Sequence, residues 1–510
     1  MQQTLTLGQN FIWFLNFWLS FFTSPMNLVF MFFSMIIGIV FGVLPGLSAT
    51  VAIALFASIT YSLDLNTALV ILLGIYIGAI FGGSVSAITI NIPGTGSAAA
   101  TCLDGHPLAM RGEVRNANML ARSASVIGTL FGVLIFVFFT PLVTRLALQF
   151  TSPEFFWLAI FGILICGSIS KSDVPVKGWV SGLIGLLLAL VGQDDIYGWN
   201  RLCFGNHYLM SGIPFVPMTI AFFGLPQLVR TLKAAKMKEV PPVVNTAPNI
   251  SLWPILKRNI LSILRWGLIG VGIGAVPGVG ENIAAWVAYD DAKRNSPEKE
   301  KFGTGVYEGV MAPETANNAA IGGAIIPLIS LGIPGSPPAA MLMGAITMHG
   351  IKVGPLLSIE QPTIIPLVGA IIVWGTIFLF ICGVLVTKPM VKLLRVPQKV
   401  LCPVIAVLCV IGTFACENNP FHLILVLICG IAGYIFDKMQ FSPAALILGV
   451  ILGNLADSQL RRALFISDGN LWSLVNRPIS FIFFACCIWS ILKQFGVFDR
   501  LFRRSGNADK

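Results

Sequence analysis

Residues 42–48 read Gly-Val-Leu-Pro-Gly-Leu-Ser and interrupt an apolar run with a proline followed by a glycine. A related stretch, Gly-Ala-Val-Pro-Gly-Val-Gly, returns 232 residues later at residues 274–280. Proline removes a backbone donor and glycine tolerates unusual backbone angles, so this pair ends one helix and allows another to start. The sequence therefore predicts helices that are broken inside apolar sequence.

A second pair of breaks follows the same logic. Residues 91–99 read Asn-Ile-Pro-Gly-Thr-Gly-Ser-Ala-Ala, and residues 332–340, at a spacing of 241, read Gly-Ile-Pro-Gly-Ser-Pro-Pro-Ala-Ala. An unsatisfied backbone group in hydrocarbon costs several kcal/mol, so such breaks persist only where protein, water or ligand satisfies them. Paired breaks in two related halves are typical of the binding site of a membrane transporter.

The composition places the chain in a membrane. Hydrophobic residues make up 56% and charged residues 11% of its 510 residues, and its mean hydropathy is +0.86. Soluble domains carry roughly 25% charged residues. The fold class predicted is an all-α polytopic membrane protein with about ten to twelve spans, judged at roughly 20 apolar residues each. Some of the broken helices are expected to re-enter rather than cross.

The net charge of +10 does not indicate a nucleic-acid partner, because the basic residues lie in short loops between apolar segments. The positive-inside rule accounts for them. We divide the chain into an interfacial N-terminal segment 1–25, a first membrane repeat 26–232, a cytoplasmic linker 233–257, a second membrane repeat 258–464, and an extra span with a basic tail, 465–510.

Basic residues suggest the orientation of the two halves. The linker and the C-terminal tail both carry lysines or arginines that favour the cytoplasm. With one extra span at the end, the two repeats then have opposite orientations, as in many secondary transporters. This arrangement puts Arg461, Arg462 and Arg477 on the outer side, against the rule.

Two acidic residues accompany amides near the breaks. Glu314 precedes an apolar run that ends at the fourth break, and Glu281 follows the third. An intramembrane charge is a functional hypothesis by default. The alternative to a functional role differs for each residue. Glu314 could lie in water at the membrane interface, and Glu281 could be an acid at a helix N-terminus, where the helix dipole favours it. Carboxylate and amide oxygens suit a small cation, and the coupling-cation residues predicted are Glu281, Asn282, Glu314, Asn317 and Asn318.

The breaks also supply polar groups where new helices begin. Exposed backbone N–H groups and the positive end of a helix dipole suit a carboxylate, although plain N-capping by Ser or Thr is compatible with the same residues. The substrate-binding residues predicted are Pro45, Gly46, Ser48, Thr50, Pro93, Gly94, Thr95, Gly96, Ser97, Pro277, Gly278, Pro334, Gly335 and Ser336.

Other polar residues are expected to lie in loops. Asp104 and His106, beside Arg111, are interpreted as loop residues rather than ligands. The mixed charges of residues 290–301 indicate a solvated loop. No Gly-Lys dipeptide occurs, so the chain has no Walker A motif and is not expected to hydrolyse ATP through a P-loop.

An intramembrane enzyme and a channel are the alternatives to a transporter. Tyr289-Asp290 is similar to the first aspartate motif of intramembrane aspartyl proteases, but a Gly-x-Gly-Asp partner is missing. His-Glu-x-x-His is also absent, and no catalytic residue is predicted. A channel is expected to repeat a filter around an axis, whereas one chain with two related halves fits alternating access.

Two long motifs resemble a known family. Residues 82–84, 91–95 and 104–107, followed by residues 313–318 and 332–336, look like the large membrane subunit of tripartite tricarboxylate transporters, the TctA family. The resemblance covers nearly the whole chain from about residue 26 to 464. Two motifs in the right order make a chance match improbable.

The resemblance implies a multi-pass permease of the bacterial inner membrane. It implies two protein partners, a small TctB-like membrane subunit and a periplasmic TctC-like solute-binding protein. The cargo implied is a small carboxylate such as citrate, taken up by cation symport, and no cofactor is implied beyond the coupling ion. Neutral oxygen ligands around the breaks favour Na⁺ as the coupling ion. The alternative is H⁺, which Glu281 or Glu314 could carry. A non-carboxylate solute remains the alternative cargo.

Overall fold

The structure, a computed structural model, describes residues 5–44, 47–165, 175–194, 196–234, 245–393, 398–417 and 419–494. Within these ranges it is almost entirely helical, which confirms the all-α prediction. A single pair of two-residue strands, β1 Gly192–Gln193 and β2 Asn200–Arg201, forms an antiparallel hairpin in the described part of the chain.

The helices of the first half run from the N-terminus to the linker. They are α1 Leu7–Thr23, α2 Pro25–Val43, α3 Ala49–Thr60, α4 Leu65–Ile90, α5 Ala99–Leu108, α6 Val114–Ala147, α7 Ser152–Ile165, α8 Pro175–Ala189, α9 Phe215–Thr219 and α10 Leu225–Ala234. A π-helical turn, Ala109–Glu113, joins α5 to α6, and another, Ile220–Gly224, joins α9 to α10.

The helices of the second half follow the linker. They are α11 Leu252–Arg258, α12 Ile260–Gly274, α13 Gly280–Asn295, α14 Tyr307–Leu331, α15 Pro337–Met348, α16 Leu357–Glu360, α17 Ile364–Leu393, α18 Gln398–Glu417, α19 Pro420–Lys438, α20 Pro443–Ile466 and α21 Pro478–Gln494. Short 3-10 turns lie at His207–Leu209, Lys299–Lys301 and Leu471–Leu474.

Helix length and composition agree with a membrane protein. Among the described residues, six helical segments of 18 or more residues are apolar enough to cross a bilayer, and six shorter apolar helices accompany them. The long segments are Pro25–Val43, Leu65–Ile90, Ala99–Ala147, Ile364–Val386, Pro420–Lys438 and Pro443–Ile466. The number of crossings stays a prediction.

The breaks fall in the same order in both halves. Two helices joined by a break, followed by a long helix, a second break and a short helix, make α2 to α5, and the same series makes α12 to α15. Asn91 ends α4 and Gly332 ends α14, both in the left-handed conformation that favours Gly and Asn. The inverted orientation of the halves stays a prediction.

The third break is the tip of a helical hairpin. Asp291, near the end of α13, accepts a hydrogen bond from Trp266 Nε1 at 3.1 Å and pairs with Arg265 at 2.9 Å, and both partners lie in α12. Helix α13 therefore returns alongside α12. Because α13 extends to Asn295, the expected loop from residue 290 is wrong for its first part.

Small residues let the long helices of the two halves pack closely. Gly128 and Gly132 of α6 lie against the backbone of Thr315 and Ala319 of α14. Helix α17 packs in turn on α4, where Gly375 contacts Ile77. Small residues at such contacts permit close helix approach in a membrane.

The peripheral segments pack on this core. Trp374 Nε1 of α17 donates to the carbonyl of Trp18 in α1 at 2.9 Å, and α21 holds α7 through Gln494 Nε2 and the carbonyl of Leu164 at 3.1 Å. The described end of the linker lies on the bend between α5 and α6, where the N–H of Thr246 donates to the carbonyl of Gly112 at 3.0 Å. Linker residues 235–244 and the basic tail lie outside the described residues.

Candidate functional site

Within each half, the two breaks lie against each other. Gly94 of the second break lies against the carbonyl of Gly42, and Gly335 of the fourth lies against the carbonyl of Gly274. A Cβ atom at either position would overlap that carbonyl. The N–H of Gly335 also donates back to the carbonyl of Ala324 at 3.2 Å. Glycine is therefore required at these positions by close backbone approach.

The breaks of different halves also meet. A Cβ atom on Gly96 would lie 3.0 Å from Asn282 Oδ1, so the second break contacts the third. Within the second half, Gly280 of the third break lies against Ser336 of the fourth. The structure thus brings the four breaks, predicted from sequence, into one connected region.

Four short helices start from this region. Helix α3 packs on α15, and α5 packs on α13 and α14. Ser48 Oγ caps α3 by accepting the N–H of Val51 at 3.4 Å, and Ser336 Oγ caps α15 by accepting the N–H of Ala339 at 3.3 Å. The capping interpretation of these serines is therefore confirmed. Ala98 and Val279 stand at the N-cap positions of α5 and α13, where no side chain caps the helix.

Glu281 is buried in contact with a residue that the sequence reasoning missed. The hydroxyl of Tyr76, in α4, donates to Glu281 Oε1 and lies 2.8 Å from Ser336 Oγ. Tyr76 is fully buried and Glu281 is 3% exposed. In the sequence, the one indication of a role for Tyr76 is that it is a lone tyrosine in a glycine-rich apolar run. Its partners could not be identified from the sequence because they lie in the other half of the chain.

Glu314 is fully buried, so its alternative placement at an aqueous interface is wrong. Thr101 donates to Glu314 Oε1 at 2.6 Å and Ser125 donates to Oε2 at 3.0 Å. Among the described residues no cationic side chain pairs with this carboxylate. Its partners differ from those of Glu281, so the predicted cation residues fall into two groups.

The two asparagines after Glu314 are buried but differ in their contacts. Asn318 Nδ2 donates to the carbonyl of Glu314 at 2.9 Å. Both Asn317 Oδ1 and Asn317 Nδ2 lack a hydrogen-bond partner within the part of the chain that the structure describes. Asn318 Oδ1 and Thr315 Oγ1 also lack a partner among the described residues, but of these three side chains Asn317 alone lacks one at two polar atoms. Since a buried polar group without a partner costs about 1–3 kcal/mol, Asn317 most strongly calls for a ligand or water.

The remaining predicted substrate residues are distributed around the breaks. Thr95 Oγ1 lies 3.0 Å from Ser97 Oγ, and both side chains are buried. Thr50, Pro277, Gly278 and Pro334 are also buried, and Pro93 is partly exposed. Pro45 and Gly46 lie outside the described residues.

Asp104 and His106 do not lie in a loop, because both belong to α5. Asp104 is fully buried, and its Oδ1 accepts the N–H groups of Gly303, Gly305 and Val306 at 3.0, 2.7 and 2.8 Å. Tyr289 donates to its Oδ2 at 2.8 Å. Asp104 therefore fixes α5 to the segment that precedes α14. This role could not be predicted from the sequence, because every hydrogen-bond partner of Asp104 lies in the second half of the chain.

The aspartate that resembled a protease motif has a different environment. Asp290 is exposed and pairs with Arg294 at 2.7 Å on the same helix. The neighbouring Tyr289 is the donor to Asp104. This dipeptide therefore joins a structural network rather than a carboxylate pair.

A cluster of arginine and aspartate side chains, away from the breaks, joins the β1–β2 hairpin to α20. Arg461 donates to both carboxylate oxygens of Asp194 and, at 2.8 Å, to Asp457, while Arg201 pairs with the same two acids. The Arg461 guanidinium holds the pKa of the Asp194 carboxyl well below its usual range. Arg477 similarly pairs with buried Glu154 at 3.3 Å. Two of the three arginines that conflicted with the positive-inside rule are thus neutralised by acids.

Comparisons with known proteins cover most of the chain. The model of the tripartite tricarboxylate transporter TctA family matches residues 28–448. An uncharacterized 52.8 kDa protein in the TAR-I ttuC′ 3′ region of Agrobacterium vitis is 36% identical over 458 residues, which are 90% of this chain and 91% of that protein.

A second Agrobacterium vitis protein, an uncharacterized protein in the TAR-II ttuC′ 3′ region, is 37% identical over 208 residues. These residues are 41% of this chain and 86% of that protein. No solved structure matches the chain.

Proposed function

The chain belongs to the tripartite tricarboxylate transporter TctA family, a family of multi-pass membrane transporter components, and we propose that it is the permease subunit of a secondary active transporter. It imports a small di- or tricarboxylate such as citrate by cation symport. Na⁺ is the preferred coupling ion, with H⁺ as the alternative.

The observation that carries this proposal is the meeting of four broken helices. Their contacts join the halves, as Gly96 with Asn282 and Tyr76 with Glu281 illustrate. Helix N-termini attract anions, and buried carboxylates without cationic partners attract cations. A region that offers both is suited to carry an anion together with a cation.

The energetics of carboxylate import require symport. With the cell interior negative by about 100 mV, each negative charge that enters costs about 2.3 kcal/mol. A trianion therefore costs about 7 kcal/mol on the same scale. At least as many cations must accompany it, with a surplus to drive accumulation. Helix dipoles orient the anion but do not supply this energy, since each contributes about 2 kcal/mol at most.

The polar residues around the breaks take separate roles in this proposal. The half-helix ends near Thr95 and Ser336 contact the carboxylates, and the cations bind among Glu281, Asn282, Glu314, Asn317 and Asn318. Alternating access moves one half against the other, which breaks and re-forms contacts such as that between Tyr76 and Glu281.

The partners follow from family membership. A tripartite system supplies a small TctB-like membrane subunit and a soluble TctC-like binding protein, and the latter delivers substrate from the periplasm to this chain in the bacterial inner membrane. The binding protein then sets much of the substrate preference.

Uptake in proteoliposomes tests the proposal. The chain is reconstituted with both partners, and accumulation of radiolabelled citrate and smaller carboxylates is measured with a sodium gradient, a proton gradient or neither. Accumulation that requires a cation gradient and the binding protein supports the proposal. Absence of accumulation for every carboxylate and gradient, with folded protein, would refute it.

A further inference from the structure

The four short helices differ in whether their N-termini have a side-chain cap. Ser48 and Ser336 cap α3 and α15, and the hydroxyl of Ser336 also meets that of Tyr76. Ala98 at the N-cap of α5 and Val279 at the N-cap of α13 have no side-chain oxygen. The first-turn N–H groups of α5 and α13 are therefore not satisfied by an N-cap side chain.

The uncapped N-termini are also the accessible ones. Gly96, just before α5, and Asn282, in the first turn of α13, are exposed and in contact with each other. Ser336 is fully buried. Helix α13 carries Glu281 in its first turn, whereas the first turn of α5 has no acidic residue. Helix α5 therefore offers the one N-terminus of the four that is uncapped, free of a first-turn acid and bordered by an exposed residue, Gly96, while Ser97 and Ala98 themselves are buried.

Asn317 provides an independent sign of a ligand at the same end of α5. Helices α5 and α14 pack antiparallel to each other. Asp104 lies against Gly309, and Thr101, earlier in α5, donates to Glu314, which lies later in α14. Extrapolated by one turn beyond Thr101 and Glu314, these contacts put residues 97–98 at the level of Asn317. The side chain of Asn317 is fully buried, and neither of its polar atoms has a partner in the described ranges.

We propose that the N-terminus of α5, between Ser97 and Asn317, is the subsite for one carboxylate group of the transported solute. The N–H of Ala99 already donates to the carbonyl of Gly96 at 3.4 Å, so the N–H groups of Ala100 and Thr101, together with Asn317 Nδ2, are the donors to the carboxylate oxygens. This assignment rests on the proposed function and refines its roles. Asn317 serves the carboxylate rather than the cation, and this carboxylate lies at α5 rather than at α15, where the N–H of Ala339 already donates to Ser336.

The subsite adjoins Glu314, which explains how the ion and the solute are coupled. Glu314 lies one helical turn from Asn317, and its hydrogen-bond donors are the neutral hydroxyls of Thr101 and Ser125. A second anion beside an uncompensated carboxylate is repelled in a low-dielectric interior. A cation or proton at Glu314 therefore has to be present before the solute carboxylate binds stably.

Two variants test the subsite in proteoliposomes that contain both partner subunits, with radiolabelled citrate as the probe. Asn317→Ala removes the side-chain donor, and we expect the KM for citrate to rise about tenfold or more, the effect of losing one hydrogen bond to a charged group. Ala98→Asp supplies α5 with its own carboxylate cap. We expect it to abolish uptake, because the new cap replaces the substrate carboxylate. Ala98 is buried, so the thermal unfolding midpoint is measured alongside, and Asn317→Ala decides the test if the Asp variant does not fold.

Matched controls separate these effects from general damage. Asn118→Ala removes a buried amide from α6, where Asn118 Nδ2 donates to the carbonyl of Val114, and Asn419→Asp adds a charge at the N-cap of α19. Both should transport like the parent protein. A normal KM in Asn317→Ala, or normal uptake by Ala98→Asp, overturns the subsite while the proposed function stands. If the parent protein accumulates no carboxylate under any gradient, both proposals fall together.

Discussion

Tyr76 of α4 donates its hydroxyl hydrogen to Glu281 at the start of α13, and the same hydroxyl lies 2.8 Å from Ser336 at the start of α15. One side chain of the first half thus joins the third and fourth breaks, which both belong to the second half. All three groups are buried. The contact belongs to the region where we expect the halves to move.

Replacement of Tyr76 by phenylalanine should damage both stability and transport. The ring keeps its packing, but buried Glu281 loses a donor, which costs about 1–3 kcal/mol. The thermal midpoint of the purified chain should fall, and uptake should fall with it. Tyr208→Phe is the control, because Tyr208 is exposed and stacks on Phe421 through its ring. Unchanged stability in Tyr76→Phe would contradict the role given to this hydroxyl.

Glu314→Gln should uncouple uptake from the cation gradient. Glutamine keeps an oxygen acceptor for Thr101 or Ser125, so we expect the free energy of unfolding to change by less than about 1 kcal/mol. It cannot carry a negative charge, so uptake should lose its response to sodium. Initial rates over a range of sodium concentrations measure this, with Glu308→Gln on the same helix as the control. Sodium-driven accumulation that survives in Glu314→Gln would exclude this carboxylate as the ion site.

Gly335→Ala should destabilise the fold through backbone overlap. A methyl group there would overlap the carbonyl of Gly274 and lie 2.6 Å from the Cα atom of Ala324, and overpacking of this kind costs about 1–3 kcal/mol. Gly272→Ala is the matched control, because a methyl group on Gly272 meets no atom within 4 Å. That variant should be neutral or slightly more stable. Yields of folded protein and thermal midpoints compare the two, and equal values would refute the close approach.

The β1–β2 hairpin should loosen in acid. Arg461 lowers the pKa of Asp194 below its ordinary value of 3.8, so the ionised carboxylate stabilises the folded state at higher pH. This stabilisation is complete above the unfolded value and is lost as the pH falls from about 4 through the lower folded value. The hydrogen-exchange protection factors of the hairpin, which are corrected for the pH dependence of intrinsic exchange, should therefore stay constant from pH 7 to 5 and decrease as the pH falls below about 4.

The arginine variant supplies the comparison for that experiment. Arg461→Met removes both hydrogen bonds to Asp194, so exchange in the hairpin should already be fast at pH 7 and respond less to acid. Arg294→Met, which breaks an exposed pair with Asp290, should leave the hairpin unaffected. Equal protection in Arg461→Met and the parent protein would contradict the stabilising role of this cluster.

Local chemistry in the sequence was enough to predict the helical membrane class and the positions of the breaks. Proline lacks an N–H group, and glycine or asparagine adopts left-handed angles, so α4 and α14 end at Asn91 and Gly332 as a consequence of residues next to them. The capping role of Ser48 and Ser336 is local for the same reason. The two motifs also sufficed to indicate the family.

Contacts between distant residues decided the rest. The sequence predicts Asp104 in a loop beside Arg111, but its carboxylate is buried against N–H groups of residues 303–306. Tyr76 acquires a role only when packing brings Glu281 and Ser336 to it, and Arg461 is neutralised by Asp194 across 267 residues. Sequence determines which helices break and which groups they free, because those effects act over a few residues. Which freed groups find partners, and which, like those of Asn317, do not, depends on burial and helix register, and only the tertiary structure decides these.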